Sequence, residues 1–218
     1  MSPWLLLAAS YLWGAIPSAY LAGKWSRGID LREHGSGNLG ATNTFRVLGA
    51  KVAAPVMVFD ILKGFLPVLL FGQMTADWRW QLAYGAAAIV GHVFPVYMRF
   101  KGGKGVATAT GVFLALAPLA IGAAIVTWLV VLKLTRMVSA ASLSGALALS
   151  LVLAVTPPPG GHHAIRWLGW AIAAFVFFSH RSNVRRIANG TEPRFGAKKE
   201  PEATVAAAAL TADADEVR

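Results

Sequence analysis

The 218-residue sequence contains no cysteine, so neither disulfides nor thiolate metal sites can hold the chain together, and its redox compartment stays open. Charge is scarce as well: 14% of the residues are Asp, Glu, Lys or Arg, against ~25% in an average soluble domain. A water-soluble globular domain is thereby excluded. The opening stretch "MSPWLLLAASYLWGAIPSAYLAGKW" lacks the basic n-region of a signal peptide, and its apolar run outlasts a typical h-region. It reads as a retained first span. No segment alternates with the dyad period of an outer-membrane barrel strand, which leaves helices as the means of crossing a bilayer. The net charge of +10 comes from short basic clusters between apolar runs, where orientation and anionic partners explain it without nucleic acid.

What the sequence has in abundance is apolar surface: 56% hydrophobic residues and eight tryptophans. Runs near or beyond the ~20 residues needed to cross ~30 Å of hydrocarbon cover about 4–23, 52–72, 80–98, 106–132, 138–155 and 164–179. Residues 24–51, 99–104, 133–136 and the segment after His180 are rich in Lys and Arg, whereas "QMTADWR" and "TPPPGGHHAIR" carry one arginine each. The positive-inside rule places the four basic segments on the cytoplasmic face. Parity then requires the 106–132 run to go out and back, broken at Pro118, as two short helices of ~13 residues, each ~20 Å long at 1.5 Å per residue. The expected fold is an all-α integral membrane protein: a bundle of seven transmembrane helices, some short or partly re-entrant, with the N-terminus outside and the C-terminus cytoplasmic. Residues 1–196 form a single transmembrane domain, and 197–218 are expected to be a disordered cytoplasmic tail.

Four polar segments carry the chemistry. In "GSGNLGATNTFR", glycines permit positive φ and close backbone approach, Ser36, Asn38, Thr42 and Asn43 offer side-chain donors, and Arg46 offers a charge fork. No GK[ST] follows and no strand precedes, so nucleotide-binding fingerprints fail. In "FKGGKGVAT", Lys101 and Lys104 flank Gly102 and Gly103 directly before a helix whose first-turn N–H groups favour an anion. In "TRMVSAASLSG", Ser139 and Ser142 share a helix face at the cytoplasmic boundary, and in "FFSHRSNVRRIANGTEPRF" His180 and Asn183 lie one turn apart among arginines. Asp60 and Lys63, one turn apart at membrane depth, read as a structural ion pair facing the bundle interior. Cationic and donor-rich elements facing one surface of a greasy bundle suit a substrate with phosphate in water and an acyl chain in the bilayer. A transporter for a phosphorylated solute is the competing reading, but no inverted pair of broken helices is visible.

Together with "FDILKG", "RMVSAASL" and "SHRSNVRRIANGTE", these motifs resemble the bacterial acyl-phosphate:glycerol-3-phosphate acyltransferase family, in the same order and over most of residues 4–195. The resemblance implies a multi-pass enzyme of the bacterial cytoplasmic (inner) membrane, its active site facing the cytoplasm. It would transfer a fatty acyl group from acyl phosphate to the 1-hydroxyl of sn-glycerol 3-phosphate, the first acylation step of phospholipid biosynthesis, giving lysophosphatidic acid and inorganic phosphate. It implies no cofactor and no metal. The partners implied are the two substrates, membrane lipid, and a soluble acyl-phosphate synthase as functional and possible physical partner. None of His34, His92, His162, His163 or His180 begins the HxxxxD motif of acyl-CoA-dependent enzymes.

Carried over by motif position, Ser36, Gly37, Asn38, Gly40, Thr42, Asn43 and Arg46 would line a phosphate site. Lys101, Gly102, Gly103 and Lys104 would act as a phosphate-binding flap, and Ser142, His180 and Asn183 would complete the pocket, with His180, Asn183, Lys104 and Ser142 in the catalytic roles. No residue stands out as nucleophile, which points to direct attack without an acyl-enzyme, the proton passing to His180 or to a phosphate oxygen of the donor. Arg46→Ala is expected to weaken use of glycerol 3-phosphate or of the donor phosphate, read as a raised KM for one of them, while thermal unfolding of the bundle stays as in the parent protein.

Overall fold

The computed structural model describes residues 1–157 and 159–196. Residues 197–218, read from the sequence as a disordered tail, lie outside them. The first apolar run forms two helices rather than one: α1 (Pro3–Ala15) and α2 (Ser18–Arg27) meet at Pro17, which takes a non-helical φ/ψ and interrupts the backbone ladder. The basic loop that follows contains a short helix, α3 (Ala41–Leu48), set off from α4 (Ala50–Leu66) by Gly49 at φ 83°. The hydrophobic pattern hides α3, whose buried side chains Asn43, Thr44 and Leu48 are mostly polar. A π-helical turn, Pro67–Phe71, extends α4. Helix α5 (Arg79–Val93) stops five residues short of the expected end, because Pro95 forces the preceding Phe94 out of the helical region.

The break before Pro118 is present but uneven. Helix α6 (Val106–Leu116) has 11 residues and α7 (Pro118–Thr135) has 18. Ala117, just before the proline, is driven to φ −150°, and the proline then occupies the first turn of α7, where its missing N–H costs nothing. Helix α7 outruns the apolar stretch to include Lys133, whose long stem can reach the interface, and ends where Arg136 turns left-handed at φ 60°. Helices α8 (Val138–Val155), α9 (Ala164–Ser179) and α10 (Arg181–Ala188) follow and are the last among the described residues. Among the described residues, Pro3–Arg27, Ala50–Phe71, Pro118–Thr135 and Val138–Val155 are long and apolar enough to cross a membrane, while α6 and α9 are shorter apolar helices.

Two helix pairs cross at close range through reciprocal glycines. A Cβ on Gly14 of α1 would collide with the Ala88 carbonyl of α5, and one on Gly91 of α5 with the Tyr11 carbonyl of α1. Gly64 of α4 and Gly111 of α6 repeat the arrangement against the carbonyls of Thr108 and Ile61. Apolar tails outside the bundle are as greasy as leucine, so association inside a bilayer depends on such backbone proximity. Further out, α7 packs along α8 and α8 along α9, and Phe113, Ile121, Leu149, Leu153 and Ile165 form a shared core. The expected Asp60–Lys63 pair is formed: Nζ lies 2.6 Å from Oδ1, with both side chains 1% exposed.

Gly111→Leu is expected to prevent assembly of the α4–α6 contact, giving aggregated protein or a lowered melting temperature in detergent. Gly122→Ala, at a position open to its surroundings, leaves both unchanged.

Candidate active site

The first loop is organised by Asn43. Its Oδ1 accepts from the Ser36 N–H at 2.8 Å and from Arg46 Nη1 at 3.4 Å, and its Nδ2 donates to the carbonyls of Leu31 (3.2 Å) and His34 (3.0 Å). The amide is thus fully used within the protein. Gly35, at φ 65°, has no Cβ because Asn43 Oδ1 occupies that place, and Gly37, at φ 70°, turns the chain back toward Arg32. The Gly40 carbonyl accepts from the backbone N–H groups of Asn43 and Thr44, opening α3. The side chains of Ser36, Asn38 and Thr42 make no hydrogen bond among the described residues, and Arg46 is exposed. Those three side chains are free to meet a ligand, Arg46 keeps guanidinium donors beyond the one given to Asn43, and Asn43 holds the loop that presents them.

In the second loop the two central glycines are spent on packing. Gly102 N–H donates to the Val93 carbonyl and Gly103 N–H to the His92 carbonyl, each at 3.1 Å, which satisfies the otherwise orphaned end of α5. Their amides are therefore occupied in this conformation and offer no anion cradle. Lys101 is exposed, whereas Lys104 turns inward and donates from Nζ to Asn183 Oδ1. Burial lowers the Lys104 pKa to about 8; Glu192 opposes the shift, and the nearby Arg186 and Arg46 add to it. That dependence also places Arg46 of the first loop within electrostatic reach of Lys104.

Asn183, in the first turn of α10, is a bridge. Its Nδ2 donates to Glu192 Oε1 at 2.6 Å, and the same oxygen accepts from Ser139 Oγ at 2.6 Å, while Oε2 accepts from Arg186 Nε at 2.8 Å. Burial pushes the Glu192 carboxyl up, but the bonds from Ser139, Asn183 and Arg186 outweigh it and hold the pKa below its ordinary value. The serine that reaches this cluster is Ser139. Ser142, one turn on, donates to the Val138 carbonyl at 2.9 Å and accepts from Trp128 Nε1 at 3.3 Å, which ties α8 to α7.

His180 sits at the α9–α10 junction with Nδ1 2.8 Å from the Val176 carbonyl, so Nδ1 carries the proton and Nε2 keeps its lone pair. Burial, reinforced by the Lys104 charge, lowers its pKa to about 4. The imidazole is neutral near pH 7. Beyond Glu192 the chain closes over the site: Phe195 stacks on Phe45 of α3 with centroids 4.7 Å apart, and its carbonyl accepts from Arg136 Nε at 3.1 Å.

Lys104, His180 and Asn183 thus meet at one place, with Arg46 bearing on it from the first loop. Lys101 and Ser142 stand apart from these contacts. Of the two serines that share a helix face it is Ser139, not Ser142, that reaches this cluster, and the site residues read from the motifs leave out Glu192, although it is the sole carboxylate among the basic residues 180–196, a signal that could have found it. Among the described residues no three His, Asp or Glu side chains converge to hold a metal ion.

A cationic site at the edge of an apolar helical bundle suits an integral membrane protein that meets an anionic ligand. The family model described as glycerol-3-phosphate acyltransferase matches residues 4–190, and the chain belongs to that family. A glycerol-3-phosphate acyltransferase of Listeria monocytogenes is 48% identical over 192 residues, covering 87% of this chain and 95% of that protein, and one of Geobacillus kaustophilus is 47% identical over 191 residues. The crystal structure of PlsY (YgiH), an integral membrane glycerol 3-phosphate acyltransferase, in its glycerol 3-phosphate form superposes with a TM-score of 0.83 at 38% identity, covering 90% of this chain and 96% of that one. Its lysophosphatidic acid form superposes with a TM-score of 0.81 at 36% identity.

The shifted groups fix a pH dependence. A Lys104 that must be charged to bind phosphate loses its proton as pH rises through about 8, so kcat/KM should fall above that point, and Lys104→Arg should move the fall to higher pH. His180, already neutral well below pH 6, should contribute no inflection between pH 6 and 8. Initial rates from pH 6 to 9.5, corrected for spontaneous donor hydrolysis, check both.

Proposed function

We propose that this protein transfers a fatty acyl group from an acyl phosphate to the 1-hydroxyl of sn-glycerol 3-phosphate, releasing lysophosphatidic acid and inorganic phosphate at the cytoplasmic face of a bacterial inner membrane. The observation that carries this reading is the meeting of Lys104, Asn183 and a neutral His180 at one point, with Arg46 and Arg186 close by. Family membership supports glycerol 3-phosphate as acceptor. The lack of an HxxxxD motif supports a donor whose leaving group needs little acid assistance.

In this mechanism Arg46, Lys104 and the free hydroxyl and amide groups of Ser36, Asn38 and Thr42 neutralise two phosphates held side by side. Most of the rate enhancement then comes from orientation and charge stabilisation. The glycerol oxygen attacks the carbonyl carbon directly, its bond to that carbon forms, and the bond to the phosphate oxygen breaks. Burial and the Lys104 charge weaken the His180 imidazole as a base, which favours the donor phosphate as proton acceptor. His180 then orients a substrate through Nε2. The acyl tail occupies a largely apolar groove of about 610 Å³ between α2 and α4, lined by Ile16, Leu21, Trp25, Val52, Pro55 and Phe59 and open sideways to lipid. Seven membrane segments, an outside N-terminus and a cytoplasmic C-terminus complete the arrangement, residues 1–196 acting as one domain. A soluble acyl-phosphate synthase supplies the donor.

Purified protein in detergent, given glycerol 3-phosphate and either palmitoyl phosphate, palmitoyl-CoA or palmitoyl-acyl carrier protein, is expected to make lysophosphatidic acid with the first donor alone and to release one phosphate per acyl transferred. Equal turnover with the thioesters, or a trapped acyl-enzyme after denaturation, would overturn the mechanism.

A further inference from the structure

Asp60, Lys63 and His92 lie buried beside the active site, with the half-buried Ser18 against them. Asp60 Oδ1 accepts from Ser18 Oγ and from Lys63 Nζ, each at 2.6 Å, Lys63 Nζ also reaches Ser18 Oγ at 3.1 Å, and His92 Nδ1 lies 3.6 Å from the same carboxylate oxygen. Asp60 Oδ2 has no hydrogen-bond partner. Replacing a buried ion pair by apolar residues is often neutral or stabilising, so the pair is weak evidence for stability, and ionisable groups inside a membrane usually serve function.

What the cluster touches is the lysine loop. His92 is the penultimate residue of α5, and its ring fills the space beside Gly103: the three atoms that a Cβ at position 103 would meet first are Nε2, Cε1 and Cδ2 of that imidazole. A cavity of about 10 Å³, the size of one water, is lined jointly by Ser18, Lys63, His92, Gly102 and Gly103. Cluster and loop therefore share a wall. One residue further on, Lys104 leaves the loop toward Asn183.

We propose that His92, held in place by Asp60 and through it by Lys63 and Ser18, is a positioning residue for Lys104. Its imidazole is the floor on which residues 102–104 rest, and Gly103 is glycine because the ring occupies the place of its side chain. The inference rests on the reading in which Lys104 binds substrate phosphate. It links a charge cluster inside the bundle to a cation at its surface through two packed contacts, ring to glycine and glycine to lysine.

The test is a double-mutant cycle on the full-length protein in detergent, with lysophosphatidic acid formation, thermal unfolding and amide hydrogen exchange as readouts. His92→Ala and Gly103→Ala should each lower kcat/KM at least about tenfold, a loss on the scale of a misplaced catalytic group, with the melting temperature kept within a few degrees. In the double variant the alanine methyl enters the space the ring has left, so the loss should be no greater than for His92→Ala alone. Asp60→Asn combined with Lys63→Met, which leaves neither charge buried alone, should reproduce the His92→Ala loss. The amides of Gly102 and Gly103 should exchange faster in His92→Ala. Multiplying losses in the double variant, or full activity with a lowered melting temperature in His92→Ala, would overturn the proposal. If the parent protein failed to use acyl phosphate, the donor assignment would fall, while the exchange rates would still decide whether the ring supports the loop.

Discussion

The Glu192 carboxylate ties together the ends of helices that already pack in the bundle. Ser139 comes from the first turn of α8, Asn183 and Arg186 from α10, and Lys104 from the loop before α6, and all four are held directly or through one intermediate by its two oxygens. Arg46, Lys104 and Arg186 are crowded cations whose mutual repulsion would spread them apart in the absence of an anion. One buried negative charge offsets that repulsion and fixes the amide between them. Because Glu192 lies at the start of the 191–196 segment, the same contact seats Phe195 against Phe45 and Arg136, closing the site with residues far apart in the sequence.

Burial sets the chemistry of the groups so assembled. Removal from water lowers the pKa of both Lys104 and His180, and each cation depresses its neighbours further. The outcome differs by residue: a lysine lowered to about 8 is still mostly charged at neutral pH, whereas a histidine lowered to about 4 is not. A largely charged lysine beside a neutral imidazole suits a reaction whose substrates bring their own charges and their own basic oxygens.

Much of the architecture was legible because a bilayer leaves the backbone few options. The apolar runs gave helices, and Pro118 split the fourth run, since a proline cannot donate to the ladder and restricts the residue before it. The uneven lengths of α6 and α7 were not legible, because Lys133 extends a helix that hydrophobicity alone would end earlier. Helix α3 escaped notice for a related reason: its inward face carries Asn43 and Thr44, which satisfy loop backbone rather than filling an apolar core. At the site, residue types pointed to phosphate chemistry, and the spacing of His180 and Asn183 placed both at one helix junction. Spacing could not tell which of two buried serines on one face would reach a carboxylate, nor that Asn43 would be consumed by its own loop and Gly102 and Gly103 by the end of α5. Such choices depend on what arrives from elsewhere in the chain.

The glycines show how one residue type serves two ends of the same requirement. In the bundle, Gly14, Gly64, Gly91 and Gly111 let backbones approach where lipid offers no hydrophobic drive for helices to associate. In the lysine loop, Gly103 gives its space to the His92 ring while its amide satisfies the end of α5. A sequence pattern that suggests a flexible phosphate flap is, in this structure, a segment packed down at every glycine. From that packed base the Lys104 side chain reaches Asn183, so the position of a charge at the site depends on backbone contacts one and two residues before it.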